Sequence, residues 1–156
     1  VLRCLLLQVV CLEKWTRATP DTQPAATGTE APITFIPPFY GECVDKQMAL
    51  QVCGNKPAAA GEMLEMLFQT LEEDHATIVR AIADHDFMLA RERIHKLHGA
   101  SCYCGVTQLK NCCDAMETLI KKDMSEYLAD VVPHFQTAVD ALLEWRRTNS
   151  PTTFFL

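Results

Sequence analysis

From residue 44 onward, apolar positions recur at steps of three and four along the chain, the spacing of one face of a helix, and no stretch carries the strict alternation of a half-buried strand. A short helix is expected over 44–53, with Val44, Met48 and Val52 on one side and Gly54-Asn55 as its stop. Pro57 suits the first turn of a long second helix, where its missing N–H has no partner to lose. That helix carries Met63, Met66, Leu67, Leu71, Ile78 and Ile82 and reaches about 40 Å at roughly 1.5 Å per residue. Asp84-His85-Asp86 makes the turn, and Asp86 is placed to cap the next helix. Tyr103 to Gly105 closes that helix. Another follows over 106–122 with Val106, Leu109, Cys113, Met116 and Ile120 inward, ending on Lys121-Lys122. Ser125 is expected to cap the last helix, which buries Leu128, Val131, Val132, Phe135, Val139, Leu142 and Leu143 and kinks at Pro133. Short connections between long helices predict an all-α protein: an antiparallel up-down four-helix bundle with a short capping helix at its N-terminal side.

The third of these helices breaks its own pattern. At about 100° per residue, Phe87, Ala90, Ile94, Leu97 and Ser101 share one narrow stripe facing a core. His95 falls outside it. Gly99 lies one turn further on, on the same outward face, where a missing side chain leaves room for another molecule beside the imidazole. Glycine within a helix costs about 1 kcal/mol relative to alanine, so some other advantage keeps it there. His98 lies about 60° from His95 toward the core edge and Lys96 about 100° the other way. A neutral imidazole nitrogen is a competent nucleophile near neutral pH and can carry a phosphoryl group as a phosphoramidate.

The run His95-Lys96-Leu97-His98-Gly99-Ala100, followed by Gly105-Val106 and then Leu109, Cys113, Met116 and Glu117, resembles the histidine-containing phosphotransfer (HPt) domain, over about residues 44–147. It is most similar to the HPt domain that ends hybrid sensor kinases of the BarA/GacS type, in which HKLHG replaces the commoner H-x-L-K-G. The resemblance implies a phosphorelay module with His95 as the phosphoryl acceptor. It carries the group between aspartates on receiver domains, those of a hybrid kinase and of a response regulator. Lys96, His98 and Gly99 are implied as supporting residues, with His98 standing where many members have lysine or arginine. By analogy with members that place a polar residue there, Gln108 is expected to hold the imidazole ring. Arg91, Gly99 and Cys102 would line the docking face, with Lys110 and Asn111 nearby. No cofactor is expected in this domain, and Mg2+ is expected only in the partner receiver.

The chain ahead of the bundle is of a different kind. Residues 1–17 open on an apolar run, VLRCLLLQVVCLEKW, interrupted by Arg3 and too short for the roughly 20 apolar residues of a membrane span. They resemble the last helix of a receiver domain cut from its partners. Residues 18–43 read as a linker rich in Thr, Pro and Ala, then an extended arm, ITFIPPFY, whose Pro37-Pro38 rules out a central strand. Residues 149–156 are expected to be a tail.

A net charge of −6 and the lack of any long basic run argue against nucleic-acid binding. There is no P-loop of the form GxxxxGK[ST] and no stretch resembling a sensor kinase's ATP-binding domain, so the module would relay phosphate and not take it from ATP. The fragment is expected to act in the cytoplasm, as the cytoplasmic part of an inner-membrane bacterial sensor kinase, without inserting into the membrane itself. Two other readings stand beside this one. A helical adaptor that binds receivers without transfer would keep the bundle. A metal domain would use the eight cysteines, but Cys102-x-Cys104 followed by Cys112-Cys113 is not the paired C-x₂-C spacing of structural zinc, and no metal ligand is assigned.

Overall fold

The computed structural model describes residues 41–156, so the expectations for 1–17 and most of the linker and arm lie outside the described residues. The described chain is helical. Helix α1 is Lys46–Val52, α2 Pro57–Ala83, α3 Phe87–Ser101, α4 Thr107–Lys121, α5 Leu128–Thr148 and α6 Pro151–Phe154, with a 3₁₀ turn at Ser125–Tyr127. Each of the four long helices packs on the next, and α5 packs back on α2, closing the four-helix bundle. No described helix is long and apolar enough to cross a membrane.

Local chemistry explains the boundaries. Asp45 and Asp86 accept from the backbone N–H groups of Met48 and Leu89 at 2.9 and 3.1 Å, capping α1 and α3. Pro57 is the first residue of α2. Ser125 does not cap α5: it begins the 3₁₀ turn, and Tyr127 precedes the helix without a side-chain cap. The helix then runs unbroken through Pro133. Pro133 is exposed, and the hydrogen bond it cannot donate would have ended on the carbonyl of the exposed Ala129.

The core lies between the four helices, around Leu64, Leu71, Ile78, Ile94, Leu109, Met116, Leu128 and Phe135. On α2 the buried face is Ala60, Gly61, Leu64, Leu67, Leu71, Asp74, Ile78 and Ala81. Met63 and Met66, expected inside, are 42% and 60% exposed. Both are apolar residues beside the stripe, and the smaller Ala60 and Gly61 take the buried positions because another element comes close there.

That element is α6. The expected tail is instead folded onto α2, with Pro151 and Phe155 buried. At Gly61 a Cβ would stand 2.9 Å from the carbonyl oxygen of Pro151, so only glycine admits the approach. Phe154 packs edge-on to Trp145, which stacks on Phe68 of α2. The segment PTTFFL is too short to show a period, and what seats it on the bundle is tertiary packing.

At the other end of α3, Gly105 has φ +67° and its carbonyl accepts from Asp45 N–H at 2.9 Å, fixing α1 as the cap over the α3–α4 turn. A Cβ there would come within clash distance of the Asp45 carbonyl oxygen. Gly99 is the opposite case, for a Cβ would meet nothing within 4 Å. Gly105→Ala should therefore lower unfolding free energy by about 3 kcal/mol, and Gly99→Ala should raise it by up to about 1 kcal/mol. Urea midpoints of the two variants test the pair; equal shifts would contradict this account.

Candidate functional site

The third and fourth helices run antiparallel across a tight turn, which sets residue 117 opposite residues 95 and 98. Each element brings one kind of group. The outward face of α3 carries His95, whose side chain is 76% exposed. From α4, Glu117 projects inward and is 6% exposed, a buried carboxylate beside an open imidazole. Glu117 Oε1 lies 3.0 Å from His95 Nδ1 and 2.8 Å from Lys121 Nζ, and its Oε2 lies 3.2 Å from His98 Nδ1.

A buried carboxylate needs such donors. Burial by itself raises the Glu117 pKa, but hydrogen bonds from Lys121, His95 and His98 outweigh it and bring the group down from 4.5 to about 2. Glu117 is thus ionised at neutral pH and can only accept. The proton on His95 therefore sits on Nδ1, and the Nε2 lone pair faces outward. The space beside it is open, since nothing approaches the position of a Gly99 Cβ.

A second buried acid stands on the opposite side of α3. Asp74 of α2 is 2% exposed and lies 3.2 Å from Arg93 NH1 and 3.7 Å from Lys96 Nζ. Lys96 is thereby drawn toward α2 and away from α4. The strip of α3 holding His95 and Gly99 runs between two acid-anchored seams.

Several sequence-predicted residues sit differently from expectation. The ring of His95 is held by Glu117 and not by Gln108, which precedes Glu117 by nine residues, about 14 Å along a helix. In the antiparallel register Gln108 falls near the α3–α4 turn, half-buried. His98 is no border residue: its side chain is 4% exposed, so it does not stand beside a phosphoryl group on the outward nitrogen. Arg91 is exposed on α3, four residues before His95, and Cys102 is half-buried just past the end of that helix; Lys110 and Asn111 are half-buried on α4.

Glu117 enters the sequence reading only as part of a family pattern, Lys121 only as a favourable charge at a helix end, and Asp74 and Arg93 not at all. Two signals pointed to them. Asp74 falls three residues after Leu71 and four before Ile78, an acid in the apolar stripe, and Glu117 follows the buried Met116 and precedes Lys121 by one turn.

Burial governs the best-covered cysteines among the described residues. Burial pushes Cys43 up to about 11, and Cys104 and Cys112 up to about 12, and it also raises Cys113 well above the ordinary thiol range. These thiols stay protonated and pack as small apolar groups. Among the described residues no three of His, Cys, Asp and Glu are placed to hold a metal ion.

Comparison with known proteins matches the Hpt domain family over residues 62–145. The chain is similar to the sensor histidine kinase GacS of Pseudomonas protegens, 33% identical over 145 residues that take in 93% of this chain and 15% of that protein. It is also similar to the signal transduction histidine-protein kinase BarA of Shigella flexneri, 30% identical over 99 residues, 64% of this chain and 11% of BarA. Among solved structures, the HPT domain of a sensor hybrid histidine kinase from Shewanella aligns with a TM-score of 0.58 and 28% identity, over 69% of this chain and 97% of that one. The chain thus spans a small part of the length of the kinases it matches.

Because Glu117 binds its proton more weakly in the fold than when unfolded, its contribution is complete above about pH 5 and is lost as pH falls toward 2. Glu117→Gln should remove roughly 3 kcal/mol at neutral pH and flatten the acid limb of stability. Urea unfolding of both proteins from pH 7 to pH 2.5 measures this; parallel curves would refute it.

Proposed function

Since the chain belongs to the Hpt domain family, we propose that it serves a phosphorelay as a histidine phosphotransfer module and that His95 Nε2 is the acceptor atom. One observation carries the assignment: the ring is exposed while its Nδ1 is held 3.0 Å from an ionised, buried carboxylate. That arrangement presents one nucleophilic nitrogen on a rigid helix.

The step balances simply. The Nε2 lone pair forms the N–P bond as the bond from phosphorus to the receiver's aspartyl oxygen breaks, and the aspartate leaves as a carboxylate. The ring then carries a positive charge with its proton still on Nδ1, and Glu117 stabilises that charge across the hydrogen bond. In reverse the same contact lets the ring return to neutral without moving a proton. Positioning is the main contribution of this side of the reaction.

The partners on this reading are receiver domains, one on the donor side and one on a response regulator. Both oxygens of Glu117 are already engaged, so any Mg2+ would come with the receiver and its own carboxylates. The module would lie in the cytoplasmic part of a longer sensor kinase. A non-catalytic adaptor would have no use for an imidazole fixed in one tautomer, and the site favours transfer.

Incubation with a receiver domain carrying radiolabelled phosphate should label the wild-type chain in an acid-labile, alkali-stable form, and His95→Ala should reduce labelling to background with its helical content intact. Label persisting on that variant would overturn the assignment. Gly99→Leu fills the open space beside the ring and should slow transfer by about tenfold or more without loss of stability, since misplacing reactants by about 1 Å can cost 100-fold.

A further inference from the structure

His98 is the member of this cluster whose place the transfer reaction leaves unexplained. It sits one turn after His95 on α3, buried, with its Nδ1 3.2 Å from Glu117 Oε2. Its other nitrogen, Nε2, is buried without a hydrogen-bond partner. A leucine would fill this position with no such orphan, so the imidazole is there for what Nδ1 does. Ionised Glu117 can only accept, which puts the His98 proton on Nδ1 and leaves a bare lone pair at Nε2.

The carboxylate of Glu117 ends on a torsion that is soft in isolation, because rotation about a terminal sp³–sp² bond has a broad minimum. Its Oε1 receives His95 and Lys121, and both of these donors are more than half exposed. Lys121 also hangs on a flexible stem. Only His98, holding Oε2 from inside the bundle, is buried enough to set the plane of the carboxylate.

We propose that His98 is a positioning residue for phosphotransfer: through Glu117 it fixes the His95 ring in the tautomer whose Nε2 is nucleophilic. This rests on His95 being the acceptor, and it assigns His98 a role different from neutralising the phosphoryl group. His98 acts from behind the reacting ring, by way of the α4 carboxylate, and touches neither phosphorus nor the partner.

The test compares His98→Leu, which keeps bulk and removes the donor, with His98→Asn, whose side-chain amide nitrogen stands at the same δ position. Long-range ¹H–¹⁵N NMR of the unphosphorylated chain reads the His95 tautomer without any receiver. Transfer rate from a phosphorylated receiver domain and affinity for that receiver are measured alongside. Wild type should show the Nδ1–H form of His95. His98→Leu should show a mixture and a transfer rate reduced by roughly tenfold, the lower end of what hydrogen-bond partners that orient metal-bound histidines contribute. Receiver affinity should not change, and His98→Asn should restore both tautomer and rate. A wild-type tautomer and rate in the leucine variant would overturn the proposal. So would equal impairment in both variants, which would mark His98 as packing alone. Failure of the wild type itself to accept phosphate would refute the acceptor assignment, and the NMR comparison would still decide whether His98 orders the ring.

Discussion

One carboxylate sets the geometry around which this bundle is arranged. Glu117 is buried between α3 and α4, a position that costs several kcal/mol for an unpaired charge. Three donors within 2.8–3.2 Å offset that cost. Two of them, His95 and His98, come from α3, so the carboxylate also ties the antiparallel register of the pair. A slide of one residue between the helices would turn either the acid or the two imidazoles away. The interaction that makes the buried charge tolerable is therefore the same one that orients the exposed His95 ring.

Asp74 performs the corresponding task on the α2 side, with Arg93 and Lys96 as its cations. Helix α3 is thus pinned along both flanks by buried acids on its neighbours, and its apolar stripe of Ala90, Ile94 and Leu97 is seated in the core. A helix held on three sides has little freedom to roll. What remains open is the strip of His95 and Gly99, and the steric space there exists because the glycine has no side chain to fill it. Rigidity behind the ring and room in front of it come from the same packing.

The sequence disclosed what depends on local spacing and concealed what depends on register. Helix periods, the Asp86 cap, the Pro57 start and the outward place of His95 and Gly99 all follow from positions a few residues apart. Met63 and Met66 were misplaced because α2 is apolar around more of its circumference than its core face needs, and α6, invisible in a six-residue tail, decides which side is covered. Gln108 was expected to hold the ring and Glu117 was not, for a related reason. Nothing along the chain says which α4 residue faces His95 until the turn at 102–106 fixes the antiparallel offset. The angle of His98 placed it only toward the core edge, whereas its full burial follows from the carboxylate that waits for it on the next helix.

These anchors also bear on the direction of transfer. A carrier must take up a phosphoryl group and give it away again, so it cannot hold the group too tightly. Around this site three cations are already engaged: Lys121 with Glu117, Lys96 and Arg93 with Asp74. His98, where lysine or arginine is common in the family, is buried and turned to Glu117. A phosphoryl group on His95 Nε2 would thus meet neighbours whose charge is largely balanced, and drawing any of them to it would leave a buried carboxylate short of a donor. The stabilisation available to the phosphorylated ring comes mainly from Glu117 at its far nitrogen, an interaction present before and after transfer. On the proposed function such a site would lower the barrier in both directions without fixing the product, and a receiver's own affinity for phosphate would then decide which way the group moves.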